Sequence, residues 1–424
     1  MTGLLFALMA LLLLMNAPIA VAVGAATVLA LILGGDYSLM LAVQRMYGGA
    51  DSFPLMAVPL FMTAGLLMEA GGISRRIVDL AESLVGWLPG GLAAVAVVSA
   101  MFFAGISGSA AADTAAVGGI LIPAMIRSGY PPAFAGAVQA AGGSIGVIIP
   151  PSIPMIIFGF LTGASVGKLF AAGILPGLLM GATLVAAAAV MSKRAGFGSH
   201  KAFDPAEVRR CLRRSLWALG APVIILGGIL GGVFTATESA AVAVVYALVV
   251  GIFVYRKLGV TRLPRLFIES SVMAAVIMFI IAQATVFSWF VTVQEFPARL
   301  AGLMLSVSDD PTVLLLAVNV LLLAAGTLIE TTAALILFVP VIMPMLPALG
   351  IDVVHLGAIV VVNLALGMLT PPLGVCLIVS CGLAGTRLGE ISLKVLPFFI
   401  VLVADLLLIT FWSPLTMWLP ELIY

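Results

Sequence analysis

One carboxylate, Asp113, stands in an otherwise uncharged run from Ala104 to Pro123, with Ser107 and Ser109 just before it. A second carboxylate, Glu330, precedes Thr331 in a similar apolar setting. Downstream of each lies a double proline, Pro150–Pro151 and Pro371–Pro372. Proline donates no backbone N–H and its ring clashes with the preceding turn, so helix must break near Pro151 and Pro372. A break frees backbone carbonyls such as those of Gly146, Ile149, Gly367 and Thr370. In apolar surroundings a freed carbonyl needs a partner, and a cation is a good one. With Asp113 and the hydroxyls of Ser107 and Thr331, these groups form two oxygen-rich shells. Hard monovalent cations such as sodium favour oxygen ligands. Half-helix N-termini left by the breaks favour an anionic group on a bound solute.

Each residue carries a second reading. Asp113 either lines a site or caps a helix over 114–126. Glu330 has the same two roles open to it. Ser107, Ser109 and Ser144 either line the site or allow close helix packing beside glycines. Asn363 is a substrate-site residue or an inter-helix bond, and Glu238, in FTATESAAVA, caps its helix or pairs with a neighbour. Lys168 and Arg387 read as surface charges. The histidines, His200 and His355, are isolated, and Cys211, Cys376 and Cys381 form no CxxC pair, so neither zinc nor a redox pair is expected. No cofactor is expected beyond coupling sodium ions.

These residues sit in a chain of 424 residues that is 63% hydrophobic and 9% charged. Soluble domains carry roughly 25% charged residues, so the class is all-α polytopic membrane protein. A span needs about 20 apolar residues, which leaves room for roughly ten to a dozen spans or part-spans. The N-terminal run lacks a basic leader and reads as the first span, with no cleavable signal. A net charge of +1 argues against nucleic acid as a partner. Residues 3–34 read as one broken helix or two short ones, and 36–52 as a loop. Residues 73–91 carry Ile77, Leu80, Leu84 and Leu88 opposite Arg75, Arg76, Asp79 and Glu82, the pattern of an amphipathic helix at the membrane surface. Residues 293–306 resemble it. The basic stretches 193–214 and 256–265 belong in the cytoplasm.

The two interrupted regions match each other. An offset of 217 sets Asp113 on Glu330, Thr114 on Thr331 and Pro123 on Pro340. Four residues inserted around Met343–Leu346 then give an offset of 221, with Gly146 on Gly367 and Pro150–Pro151 on Pro371–Pro372. Gly/Pro-interrupted segments at matching places of two halves are the sequence mark of a transporter with inverted repeats. The organisation expected is a first repeat at 1–192 (surface helix 73–88, hairpin and broken helix 104–165) and a basic linker at 193–214. A second repeat follows at 215–424 (surface helix 293–306, hairpin and broken helix 321–386).

The stretches GISGSAAADTAAVGGILIPAM, GYPPAFAGAVQAAGGSIGVIIPPSIPMIIFG, GGVFTATESAAVAVVYALVVG and LIETTAALILFVPVIMP resemble the large membrane subunit of TRAP transporters, the tripartite ATP-independent periplasmic transporters of bacteria and archaea. The resemblance covers essentially the whole chain. It implies a member of the ion-transporter superfamily, with a scaffold and an elevator-like transport domain in the cytoplasmic (inner) membrane. It implies sodium-driven uptake of an organic acid such as a C4-dicarboxylate or sialic acid. Its partners would be a periplasmic substrate-binding protein and a small four-helix membrane subunit. No stretch for that subunit precedes the first span, so the unfused form is expected. A first sodium site is implied at Ser107, Asp113, Gly146, Ile149 and Pro151, and a second at Thr331, Gly367, Thr370 and Pro372. Ser109 is the implied substrate contact. The amphipathic segments become arms holding the transport domain. Glu330 for Asp113 and Ala324 for Ser107 are departures in the second copy. A related permease that works without a binding protein is the alternative. An intramembrane hydrolase lacks a paired aspartate or a serine–histidine couple, and a passive channel does not account for the paired breaks.

Overall fold

The structure is a computed structural model that describes the chain except residues 36, 198–201, 300–301 and 303–309. His200 and residues 300–301 and 303–306 of the surface helix expected at 293–306 lie outside the described residues. Among the described residues the fold is all-α, with seven helices long and apolar enough to cross a membrane and shorter apolar helices between them.

The first half contains α1 (Thr2–Leu14), α2 (Ile19–Gly34), α3 (Leu39–Ala50), α4 (Ala57–Ala70), α5 (Ile73–Val85), α6 (Gly91–Ser107), α7 (Ala110–Arg127), α8 (Pro132–Ser144), α9 (Ile153–Thr162) and α10 (Val166–Ala195). The second half contains α11 (Pro205–Leu230), α12 (Ala236–Val249), α13 (Leu263–Val293), α14 (Pro311–Leu328), α15 (Thr331–Ile342), α16 (Val353–Gly367), α17 (Val375–Ala384), α18 (Leu388–Phe411) and α19 (Pro414–Ile423).

Three expectations change. Residues 39–50 are not a loop: Ser38 caps α3 by accepting from the Met40 N–H, and α3 runs on through a 60° bend into Pro54–Ala70. Gly48, Gly49 and Ser52 give the segment a loop's composition, but α3 packs against α13. Within the basic linker at 193–214, α10 continues to Ala195 and Asp204 caps α11 from Pro205 onward, so the ends of the linker are helical. The amphipathic helix ends at Val85, short of 88, and Ile73, Ile77, Val78 and Leu80 are buried in the protein. Its apolar face is covered by α6 and α11 rather than by lipid.

The most buried helices are α8 and α16. Every residue from Phe134 to Ser144 is buried, and so is every residue from Val354 to Gly367. A helix apolar on all sides belongs in the interior. The small residues of α8 let its neighbours approach. A Cβ at Gly143 would lie 2.0 Å from the Thr114 hydroxyl oxygen on α7, and one at Gly136 would lie 2.7 Å from Ile391 on α18. Two hairpins flank these helices. Both α6–α7 and α14–α15 are joined by two residues, Gly108–Ser109 and Ile329–Glu330. Gly108 has φ +63°, a left-handed conformation that closes α6 at little cost only for glycine.

The matched turns correct the register of the repeat. Ser109 and Glu330 are the N-cap residues of α7 and α15, which is an offset of 221, the same as for the double prolines. One ungapped offset then sets Gly105 on Gly326 and Pro123 on Pro344. Asp113 falls on Ala334 and Ser107 on Leu328, so Glu330 is the counterpart of Ser109, not of Asp113. The insertion at Met343–Leu346 disappears.

Candidate functional site

The chain breaks twice in its interior. After α8, Ile145–Val147 makes one tight turn, and residues 148–152 run irregularly until Ser152 caps α9. After α16, residues 368–374 do the same before α17. The hairpin tips dock onto these breaks. The Ile153 N–H donates to the Gly108 carbonyl at 3.4 Å, and the Leu373 N–H to the Thr327 carbonyl at 3.3 Å. The approach at Gly108 is close, since a Cβ there would stand 2.5 Å from the Pro151 carbonyl oxygen.

Asp113 lies one turn into α7, fully buried. It is not the cap: Ser109 holds that position, its Oγ accepting from the Ala112 N–H. Ser107 Oγ donates to Asp113 Oδ1. The other carboxylate oxygen, Oδ2, is buried with no hydrogen-bond partner in the protein. It points at the break, where a Cβ on Gly146 would lie 2.1 Å from it. A carboxylate oxygen with no donor at such depth is costly unless something positive meets it. Ser107, Asp113 and Gly146 are thus gathered at one point, with Pro151 against the adjoining turn. Ile149 is half-buried and packs on Gly177 of α10.

At the second break the chemistry differs. Glu330 caps α15, accepting from the Thr332 and Ala333 N–H groups, so it is engaged with its own helix. Thr331 Oγ1 is buried and has no protein partner. The Gly367 carbonyl accepts from both the backbone and the hydroxyl of Thr370, at 3.1 and 2.8 Å. Pro372 lies in the irregular segment beyond.

Between the two tips is a cavity of about 120 Å³. Ser109 enters it from one side and Glu330, Thr331 and Thr332 from the other, with Met62, Ile277 and Met368 completing the wall. A smaller recess beside it brings Glu69 of α4 to Ser107 and Ser109. Sequence reasoning passed over Glu69, although a carboxylate closing an apolar span was the available signal.

Two proposed substrate residues lie elsewhere. Ser144 Oγ donates to the Ala141 carbonyl at 2.8 Å inside α8. Asn363 Nδ2 donates to Asn319 Oδ1 on α14, Asn319 Nδ2 donates to Thr410 Oγ1 at 3.0 Å, and His355 meets Thr416 and Thr410. This polar chain joins α14, α16, α18 and α19 in the interior. Replacing Asn363 with leucine strands Asn319, which costs about 1–3 kcal/mol. Thermal unfolding in detergent should show the loss. Glu238 closes a capping box with Thr235 at the start of α12, the structural option of the two.

The family model for the DctM component of tripartite ATP-independent periplasmic transporters matches residues 6–415. The chain belongs to this family. Relatives of this DctM chain include the isethionate TRAP transporter permease protein DctMQ of Oleidesulfovibrio alaskensis, 41% identical over 96% of this chain. The chain spans 64% of that relative's length. The C4-dicarboxylate large permease protein DctM of Pseudomonas aeruginosa is 39% identical, with 89% of this chain and 88% of the relative covered. The sialic acid large permease protein SiaM of Vibrio cholerae is also 39% identical, with 92% of each covered. Among solved structures, the YdaH transporter of Alcanivorax borkumensis superposes with a TM-score of 0.63 at 17% identity, covering 88% of both chains. That likeness concerns the fold alone.

Proposed function

We propose that this DctM chain is the permease component of a sodium-coupled importer of an organic acid in the bacterial inner membrane. A periplasmic binding protein hands over the substrate, and a small membrane subunit completes the transporter. The observation that carries sodium coupling is the buried Asp113 Oδ2, left without a protein donor and set against the break at Gly146. A cation there would neutralise the carboxylate and take up carbonyls freed near Pro151. Thr331 Oγ1, unpartnered beside the second break, supports a second ion bound by uncharged oxygens.

The substrate lies between Ser109 and the Glu330–Thr332 turn, where both hairpin tips face a common cavity. Relatives named for isethionate, C4-dicarboxylate and sialic acid support an acidic solute. Hairpins and broken helices packed as one buried block support transport by movement of that block against the outer helices, an elevator. Binding of substrate and ion to the same block couples the two.

Uptake by proteoliposomes holding both membrane subunits, with the binding protein outside, tests this. Labelled isethionate, succinate and sialic acid serve as probes. Import of one of them should require an inward sodium gradient and the binding protein. Import at full rate with sodium equal on both sides and no membrane potential would refute the coupling. Full import without the binding protein would favour the simpler permease.

A further inference from the structure

The largest cavity among those described, about 890 Å³, is not between the hairpin tips. It lies where α5, the first turns of α11 and the connection from α12 to α13 meet, and its volume falls within the roughly 300–1,000 Å³ range of ligand sites. Seven cationic side chains line it against three carboxylates. Arg210 and Arg214 stand on one stripe of α11, Arg75 and Arg76 on α5, and Lys257 and Arg262 on the connection.

The walls are tied largely through backbone carbonyls, and Arg210 pairs with Glu207 at 3.5 Å, both partly exposed. Ser215 Oγ donates to the Arg76 carbonyl at 2.9 Å, and Tyr255 OH to the Arg214 carbonyl at 3.3 Å. The Arg76 guanidinium lies 3.5 Å over the Tyr255 ring while donating to the Gly72 carbonyl. Burial pushes the Asp79 carboxyl up from its ordinary value, against the pull of Arg75 and Arg76. The basic loops place this end of the molecule in the cytoplasm. Trp217 and Tyr255 are among its lining residues, and such aromatic side chains sit at headgroup level.

We propose that this cavity binds a phosphate-bearing anion, with an anionic lipid headgroup or a small soluble phosphate as the source. Basic pockets between helices on the cytoplasmic side suit such headgroups. Bound there, the anion links α5 to α11, and α5 leads directly into the hairpin that carries Ser107 and Asp113. The site is separate from the transport cavity and does not rest on sodium coupling.

The test uses the purified full chain in detergent. Native mass spectrometry compares retained phosphatidylglycerol with phosphatidylcholine, and thermal shift follows inorganic phosphate and glycerol 3-phosphate. The triple variant R210Q/R214Q/K257Q should lose phosphatidylglycerol about tenfold or more relative to wild type. The variant R210K/R214K should keep it, and R265Q/K394Q, outside the cavity, should match wild type. Retained phosphatidylglycerol with no phosphate shift assigns the lipid source. A millimolar phosphate shift that the triple variant abolishes assigns the soluble one. Equal retention by wild type and the triple variant with no phosphate shift in either, or equal loss in R265Q/K394Q, overturns the site. If the triple variant does not fold, failure of wild type to prefer phosphatidylglycerol and to shift with phosphate overturns it as well.

Discussion

Asp113→Asn should abolish sodium-driven uptake while leaving a folded protein. Asparagine keeps the shape of the side chain, and its oxygen still accepts from Ser107. At the buried, unpartnered Oδ2 position an anionic acceptor becomes a neutral N–H2 donor. Removing one member of a buried charge pair costs about 3–5 kcal/mol. At 1.4 kcal/mol per tenfold, sodium affinity should fall at least about a hundredfold. Fold stability should change little, since replacing the acid by its amide relieves a buried charge when no cation is present. The checks are thermal melts with and without sodium, and uptake in proteoliposomes. Wild type should be stabilised by sodium, and the variant should not be. Undiminished uptake by the variant would mean that the charge on Asp113 plays no part in the coupling.

The second large effect belongs to Gly367→Ala. At this position a Cβ would lie 2.5 Å from the Gly326 backbone. Backbone cannot swing aside as a side chain can, so the second hairpin must lift off α16. Overpacking of this kind costs about 1–3 kcal/mol, and more where two backbones touch. Melting temperature and folded yield should both drop, with or without sodium. Gly382→Ala is the control, because nothing lies within 4 Å of a Cβ there; on a helix it should be neutral or stabilising by up to about 1 kcal/mol. Gly146→Ala falls between the two. Its nearest obstacle is the Asp113 side chain, so it should lose the sodium-dependent part of the stability first. A melt of Gly367→Ala matching that of wild type would mean that the tip and the break are not held in register.

The membrane class and the two breaks were legible because they depend on local chemistry. Apolar length, and a double proline that no helix continues through, act within a few residues. The register of the repeat was not legible, because both Pro340 and Pro344 lie where Pro123 could match. Only the turns, with a serine cap in one copy and a glutamate cap in the other, decide between them. Asn363 was ambiguous for a different reason. A polar residue in an apolar run says that it has a partner, but Asn319 and Thr410 come from helices distant in sequence. Residues 36–52 were misread because glycines near the end of a helix resemble a loop when the packing against α13 is unseen.

The unlike caps of the two hairpins have a consequence of their own. Two helix dipoles present their positive ends to one cavity, but Glu330 has already cancelled one of them, while Ser109 leaves the other open. The chamber is polarised although the scaffold around it is twofold in plan. On the proposed function, an acid carrying a single carboxylate would meet one landing point rather than two, and enter with a fixed head and tail. Handedness of this kind lets a near-symmetric machine distinguish the two ends of its cargo.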